Sequence, residues 1–305
     1  MGGYLLSRLA QAMIVLLVVA FIAFLLLHLS GDPALLLLPP DATRAQVIEF
    51  RTQMGFDRPF FEQFFQFLKR ILSGDLGYSW RFQEPVLPLV LERLPATALL
   101  AVTALIFSLI IAIPVGVISA VKRDSPIDNA AMVLALLGQS IPGFWIGIML
   151  IFLFSVKLGW LPTSGWDTPQ SIILPAATLG LALVGRNARL VRSSMLEVLG
   201  EDYVKAARAK GLSEWRVVNH HALKNALLPV VTVIGLELGI LLGGTVVIET
   251  VFAWPGIGML SVQAVTGRDY PIVQAVILLS AVLFTLTNLA VDLLYTRIDP
   301  RIGYK

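Results

Sequence analysis

EDYVKAARAKGLSEWRVVNHHALKN, residues 201–225, carries a density of charge that the rest of the chain lacks. Only 14% of the 305 residues are charged and 57% are hydrophobic, and the mean hydropathy is +0.81. A soluble domain carries about 25% charged residues, so this composition is that of a multi-spanning membrane protein with a polar insert. The insert reads locally as helix, glycine turn, helix. Glu197, Tyr203, Val204, Ala206, Ala207 and Ala209 build the first helix. Glu201 and Asp202 fall early in it, and Lys205, Arg208 and Lys210 fall late, as the helix dipole prefers. Gly211 is the residue expected just past that end. Ser213 then offers an N-cap, with Glu214 in the first turn of the next helix.

Outward from the insert lie apolar runs long enough to cross a bilayer, which takes about 20 apolar residues. They are Met13–Leu29 and residues 97–120, 130–156, 171–186, 229–251 and 272–295. The first is long for a signal peptide and no A-x-A-like site follows, so it reads as a retained span. Six spans place both termini on one side, and the basic residues choose that side. Arg8 precedes the first span, Lys122 and Arg123 fill the second–third loop, and Arg297, Arg301 and Lys305 form the tail. Arg186, Arg189, Arg192, Lys205, Arg208, Lys210, Arg216 and Lys224 lie between the fourth and fifth spans. The opposite short loops hold only Lys157 and Arg268. The termini and the insert are therefore expected in the cytoplasm. The long external loop, 30–96, contains two amphipathic stretches, AQVIEFRTQMGF and FFEQFFQFLKRIL, separated by Asp57-Arg58-Pro59. The second is crowded by Phe60, Phe61, Phe64, Phe65 and Phe67. Two readings stand for it: a helix lying on the outer leaflet, or a docking platform for an external partner.

Several function classes are excluded by what is missing. Without cysteine there is no disulfide and no thiolate metal site. No P-loop, H-E-x-x-H or G-x-S-x-G pattern occurs. Adjacent His220 and His221 point about 100° apart on a helix and cannot chelate one ion; no metal site is expected. A basic helix–turn–helix could suggest nucleic acid, but this one is tied to spans at both ends. An intramembrane enzyme would need a nucleophile and a base, and the third histidine, His28, stands at the outer end of a span.

The backbone breakers and buried polar groups are more informative. Pro114 and Gly116, Pro142 and Gly143, and Pro175 predict three bent spans in a mobile bundle around a pathway. Gly235, Gly239, Gly243 and Gly244 give one span a smooth stripe, for packing within the chain or for a subunit interface. Glu237 in the same span is expensive in lipid. It reads as pathway lining, as a hydrogen-bonded anchor, or as the proton relay of an ion-coupled transporter. Asn288 and Asp292 are its candidate polar partners, with a place at the cytoplasmic interface as the other reading of Asp292, and Gln139, Glu237 and Asn288 are the candidate pathway residues.

KAARAKG, Lys205 to Gly211, resembles the EAA cytoplasmic loop of ABC importer permeases, whose pattern is E-A-A-x-x-x-G. The string from Glu201 to Val231 is similar to the dipeptide, oligopeptide, nickel and glutathione subfamily. Further matches are GDPA (31–34), GFDRP (55–59) ahead of Gln63, SGDLGYS (73–79), LGWLP (158–162), ILPAATLG (173–180), ETVFAWPGIG (249–258) and RDYPIVQA (268–275). Lys205 stands where the general pattern has glutamate, and Pro229 comes later than the usual proline. The resemblance implies an all-α permease of the type I importer architecture, with six spans, in a bacterial inner membrane. It implies a division into residues 1–96 (first span and periplasmic loop), 97–296 (permease core, with a coupling loop at about 187–228) and 297–305 (cytoplasmic tail). The implied partners are a homologous second permease, two ABC ATPases and a periplasmic binding protein, besides membrane lipid. ATP and magnesium would be used by those ATPases and not bound by this chain, whose cargo would be a small peptide, or nickel or another small solute. Tyr203, Ala206, Ala207, Arg208, Lys210, Gly211, Leu212, Ser213 and Trp215 would form the ATPase-coupling contact.

Overall fold

Long apolar runs satisfy their backbone groups internally, and in lipid that means helices. A computed structural model describes residues 2–29, 32, 34–35, 38, 41–79 and 81–298. Gly31 and Pro33 of the GDPA stretch, Arg301, Lys305 and the rest of the tail beyond 298 lie outside the described residues. Helix α1 is Gly2–Leu29. The external loop forms α2, Arg44–Met54, closed at its start by a Thr43–Gln46 capping box, and α3, Phe60–Leu72. A two-residue hairpin, β1 (Tyr78–Ser79) with β2 (Glu84–Pro85), leads into α4, Val86–Val121. Then come α5 (Pro126–Ser140), α6 (Gly143–Lys157) and α7 (Ile173–Leu199). The polar insert supplies α8, Asp202–Ala209. Helix α9, Glu214–Leu242, is followed by two short helices, α10 (Val246–Val251) and α11 (Ile257–Thr266), and by α12, Tyr270–Ile298. Among the described residues five helices are long and apolar enough to cross a membrane, or six when the bent pair α5–α6 is one span.

The breaks differ from the sequence expectation. Of the three prolines expected to bend spans, Pro142 stands at a break: α5 and α6 meet at 97°. Proline disfavours helical backbone at the residue before it, and Ile141 is extended at φ −85°, ψ 129°. Pro114 lies inside α4, which continues as α-helix to Val121. Pro175 sits in the first turn of α7, where no intrahelical bond is lost. The fourth span does not end at Arg186. Its helix runs on to Leu199, and Arg186 falls at its middle. The fifth does not reach Val251. Helix α9 stops at Leu242, and Gly244 at φ +109° turns the chain into α10.

Close helix approach is made by glycines. A Cβ on Gly116 of α4 would stand 2.6 Å from Val191 Cβ, and one on Gly180 of α7 would stand 2.9 Å from the Ala104 carbonyl oxygen. The α9 stripe packs on α12: a Cβ on Gly235 would meet Val291 and one on Gly239 would meet Phe284 and Thr287. The tightest backbone approach involves Gly185 of α7, whose Cβ would stand 2.2 Å from the Ala135 oxygen of α5. Gly185→Ala is therefore expected to push α5 off α7 at a cost of about 1–3 kcal/mol. Gly138→Ala, with nothing within 4 Å of its Cβ, is the control. Thermal melting of the two detergent-solubilised variants checks this, and equal melting temperatures would refute it.

Helix α3 divides its phenylalanines between two faces. Phe64 and Phe67 are buried against Ala20 and Phe24 of α1, with edge-on rings such as Phe21–Phe64 at 5.3 Å. Phe61 and Phe65 are exposed. The motif GFDRP ahead of Gln63 has a physical basis here. Gln63 Nε2 donates to the Phe56 and Arg58 carbonyls at 3.1 and 2.8 Å, and its Oε1 lies 2.9 Å from His28 Nε2 of α1.

The cytoplasmic loop and the buried polar cluster

Helix α7 ends at Gly200, and Glu201 at φ −69°, ψ 148° starts α8, so Glu197, expected in the first helix of the insert, belongs to α7 instead. Alternation along α8 decides which face docks inward. Val204 and Ala207 are buried with Val217 against Val198, Leu199 and Leu212. Tyr203, Lys205, Ala206, Arg208 and Lys210 are left exposed. So the two alanines of the motif part company: Ala207 seats α8 on its own base, and Ala206 faces out. Gly211 at φ +78° makes the turn, and its N–H donates to the Arg208 carbonyl at 2.9 Å. Ser213 occupies the N-cap position of α9, but its side chain makes no capping bond. The turn is held instead by Arg208, which forks onto Glu214 at 2.8 and 3.3 Å. Asn225 Nδ2 donates to the Tyr203 hydroxyl at 2.7 Å and ties α8 to α9. The hydrogen bond from Lys205 to Asp202 holds that exposed carboxyl below its usual pKa. Trp215 stands out at 73% exposure, a large apolar surface on an otherwise polar element. Helix α9 opens with a π-helical segment, Val217–Ala222, that carries His220 and His221. Their rings are 6.1 Å apart and nearly perpendicular.

The second group is buried in the bundle. Glu237 of α9 is 2% exposed. Its Oε2 accepts from Asn187 Nδ2 of α7 at 3.0 Å, and that amide also donates to Ser108 Oγ of α4 at 3.2 Å. Arg186 Nε lies 3.7 Å from Glu237 Oε1. The expected partners, Asn288 and Asp292, are elsewhere. Asp292 pairs with Arg8 of α1 at 3.1 Å, and Asn288 lines a small cavity with Arg8, Gln11 and Asp292. Gln139 is exposed on α5 and accepts from Arg189. Sequence reading missed Arg186 and Asn187 because it closed the fourth span there and counted Arg186 as a loop cation. The available signal was the α-helical continuity of residues 187–199, which carry no Gly or Pro.

On the opposite side of the bundle, the motifs converge through hydrogen bonds. Ser79 Oγ of SGDLGYS donates to the buried Asp269 of RDYPIVQA at 2.5 Å. Trp254 of ETVFAWPGIG donates to the Ala96 carbonyl at 2.9 Å, and its ring meets Trp166 edge-on at 4.8 Å.

A helical bundle with a broken third span and a docked helix–glycine–helix between the fourth and fifth is the architecture of an ABC importer permease. Residues 112–304 match the family described as "Binding-protein-dependent transport system inner membrane component", and residues 1–103 match the corresponding N-terminal family. The chain belongs to this family of multi-pass inner-membrane transport components. It is 46% identical over 307 residues to the "Glutathione transport system permease protein GsiC" of Escherichia coli (strain K12), with 100% of each chain covered. It is 45% identical over 306 residues to the protein of that name from Salmonella choleraesuis (strain SC-B67), again over 100% of both. Among solved structures it resembles a chain of the inward-facing MetNI methionine ABC transporter, with a TM-score of 0.61 and 22% identity. That match covers 69% of this chain and 96% of the other, and it concerns the fold.

Proposed function

We propose that this chain is the permease subunit through which an ATP-driven importer moves small peptides of the dipeptide or glutathione type. The observation that supports the substrate class is identity over the full length to permeases named for glutathione transport. It would pair with a homologous second permease, receive cargo from a periplasmic binding protein, and be driven by two ATPases that use ATP and magnesium. Tyr203, Ala206, Arg208, Lys210, Gly211, Ser213 and Trp215 are exposed around the docking surface, with Ala207 and Leu212 supporting it from below. The mechanical logic is short. Helix α8 is pinned to α9 by Arg208–Glu214 and Asn225–Tyr203 and is continuous in sequence with α7. Movement of an ATPase against α8 is thereby delivered to both spans, and the 97° elbow of α5–α6 leaves a place for the bundle to flex.

Mild-detergent purification of the tagged chain from its native host, followed by mass spectrometry, tests the assembly. The expected result is recovery of a second six-span subunit and two P-loop ATPases. Proteoliposomes of that assembly, with the binding protein, should import radiolabelled glutathione or dipeptide only when ATP is inside the compartment that holds the ATPases. A chain that purifies alone and transports without ATP would overturn the reading.

A further inference from the structure

The arginines that step along α7 have no role in the coupling mechanism above. Arg186, Arg189 and Arg192 recur at three-residue spacing, so neighbours share a helix face at about 5–6 Å between Cβ atoms. Each is held differently. Arg192 is neutralised by Asp128 of α5, which it grips with two bonds of 2.7 Å. Arg189 is not neutralised: its partners are the Gln139 side-chain oxygen and the Gly185 carbonyl, both uncharged. Arg186 has a counter-charge but no hydrogen bond to it. Its Nε is 3.7 Å from Glu237, and its side chain is 52% exposed while that of Glu237 is 2% exposed. The carboxylate is sealed behind the guanidinium, and Arg186 presents donors outward. Three cations face two carboxylates here, and the excess positive charge sits at Arg189.

Depth decides where this face looks. Asn187, next to Arg186, bonds Ser108 well inside α4, and Glu237 lies more than a turn inside the end of α9. A guanidinium at that level does not face acyl chains; it faces the bundle interior or a water-filled cavity. A planar guanidinium fork suits a carboxylate, which it can bind through two parallel bonds. Arg186 at rest is neutralised from behind without being saturated, and Arg189 is bonded only to groups that an anion can displace.

We propose that Arg186 and Arg189 form an anion-binding step in the translocation pathway, which takes a solute carrying a free carboxylate. The proposal rests on the importer reading above and names the substrate chemistry that this subunit itself would recognise. Glu237 is then a positioning residue, which acts by orienting Arg186.

The chain has no cysteine, so Gln139→Cys places the one thiol of this subunit beside Arg189 with every charge retained. In membranes holding the complete assembly, that thiol is reacted with two small impermeant methanethiosulfonates, one bearing a sulfonate and one a trimethylammonium. The sulfonate reagent is expected to react about tenfold faster than the cationic one, relative to their rates with a free thiol. Adding Arg189→Gln should bring the two rates together, and removing Arg186 as well, by Arg186→Gln in the same chain, uncovers Glu237 and should invert the preference. Saturating glycylglycine should slow the labelling, and glycylglycine amide should not. No labelling, while a Lys122→Cys control on the exposed second–third loop reacts, would show that the face is closed to water and overturn the proposal. Equal rates for the two reagents, or equal protection by the amide, would also overturn it. None of these readouts needs ATP, so they separate failure of the anion site from failure of the importer reading, which would show as absent ATP-dependent import.

Discussion

Gly211→Pro is expected to leave the subunit inserted and assembled but to cut ATP-driven import to about a tenth or less of the wild-type rate. The backbone argument is direct. Gly211 holds φ at +78° and gives its N–H to the Arg208 carbonyl at 2.9 Å. Proline fixes φ near −65° and has no N–H, so both features of the turn are lost. Helix α8 must then leave its seat of Val204 and Ala207 on Val217, and the fork of Arg208 onto Glu214 must open. No apolar residue of a span is touched, so membrane insertion is spared. Gly211→Ala is the graded control. Its Cβ would meet nothing within 4 Å, so the sole penalty is left-handed backbone on a non-glycine residue, about 1–2 kcal/mol. Alanine should retain partial import. Vesicle uptake, with assembly checked by co-purification, decides the matter: a proline variant importing at the wild-type rate would remove the coupling role from this turn.

Glu249→Ala is expected to give the largest loss of stability, about 4 kcal/mol and a melting temperature lower by roughly 10 °C. Glu249 is fully buried, with Oε1 accepting from Thr97 Oγ1 at 2.9 Å and from Thr245 Oγ1 at 3.4 Å. Its Oε2 accepts from the Met259 N–H at 3.0 Å, and Thr97 Oγ1 accepts from the Ile257 N–H at 2.8 Å. One carboxylate and one hydroxyl thus satisfy free N–H groups in the first turn of α11 and join α4, α10 and α11. Negative charge at a helix N-terminus is favourable in itself. The neighbouring backbone is shaped to fit. A Cβ on Gly256 would stand 2.4 Å from Glu249 Oε2, and one on Gly258 would stand 2.8 Å from Val246 Cα. Removing the carboxylate strands three donors, on Thr97, Thr245 and Met259, and opens a cavity. Glu249→Gln keeps an acceptor and should lose less. Thr97→Val combined with Glu249→Ala should cost less than the two single losses added, because they share one network. A Glu249→Ala protein melting within about 1 °C of wild type would sink this account.

Most of the fold was legible in the sequence because membrane spans are local objects. A run such as MIVLLVVAFIAFLLLHL, residues 13–29, is a helix wherever it inserts, since lipid leaves the backbone no other partner. The insert was legible for a similar reason: charge at the ends of α8 and a glycine after it act within a few residues. The amphipathic helices of the external loop appeared where the apolar spacing put them, with caps at Thr43 and Gly55.

What only the tertiary structure decided concerns partners and rotations. Pro114 and Pro142 look alike in the string, yet the first lies inside an unbroken helix and the second stands at an elbow. The reach of α7 past Arg186 was missed because residues 187–199 mix charge with apolar positions, and only packing shows that Val191 and Met195 among them are buried in the bundle. It is stabilised here by Asp128 of α5 on Arg192 and by Glu237 and Ser108 around Arg186 and Asn187. Glu237 announced itself as a costly charge, but the amide that bonds it comes from a helix 50 residues away in sequence. The sequence alone determined that this protein is a helical membrane permease with a helix–glycine–helix insert on its basic side. Which polar groups meet inside the bundle was decided by helix rotation and crossing, because side-chain contacts between spans depend on three-dimensional register and no local rule encodes it.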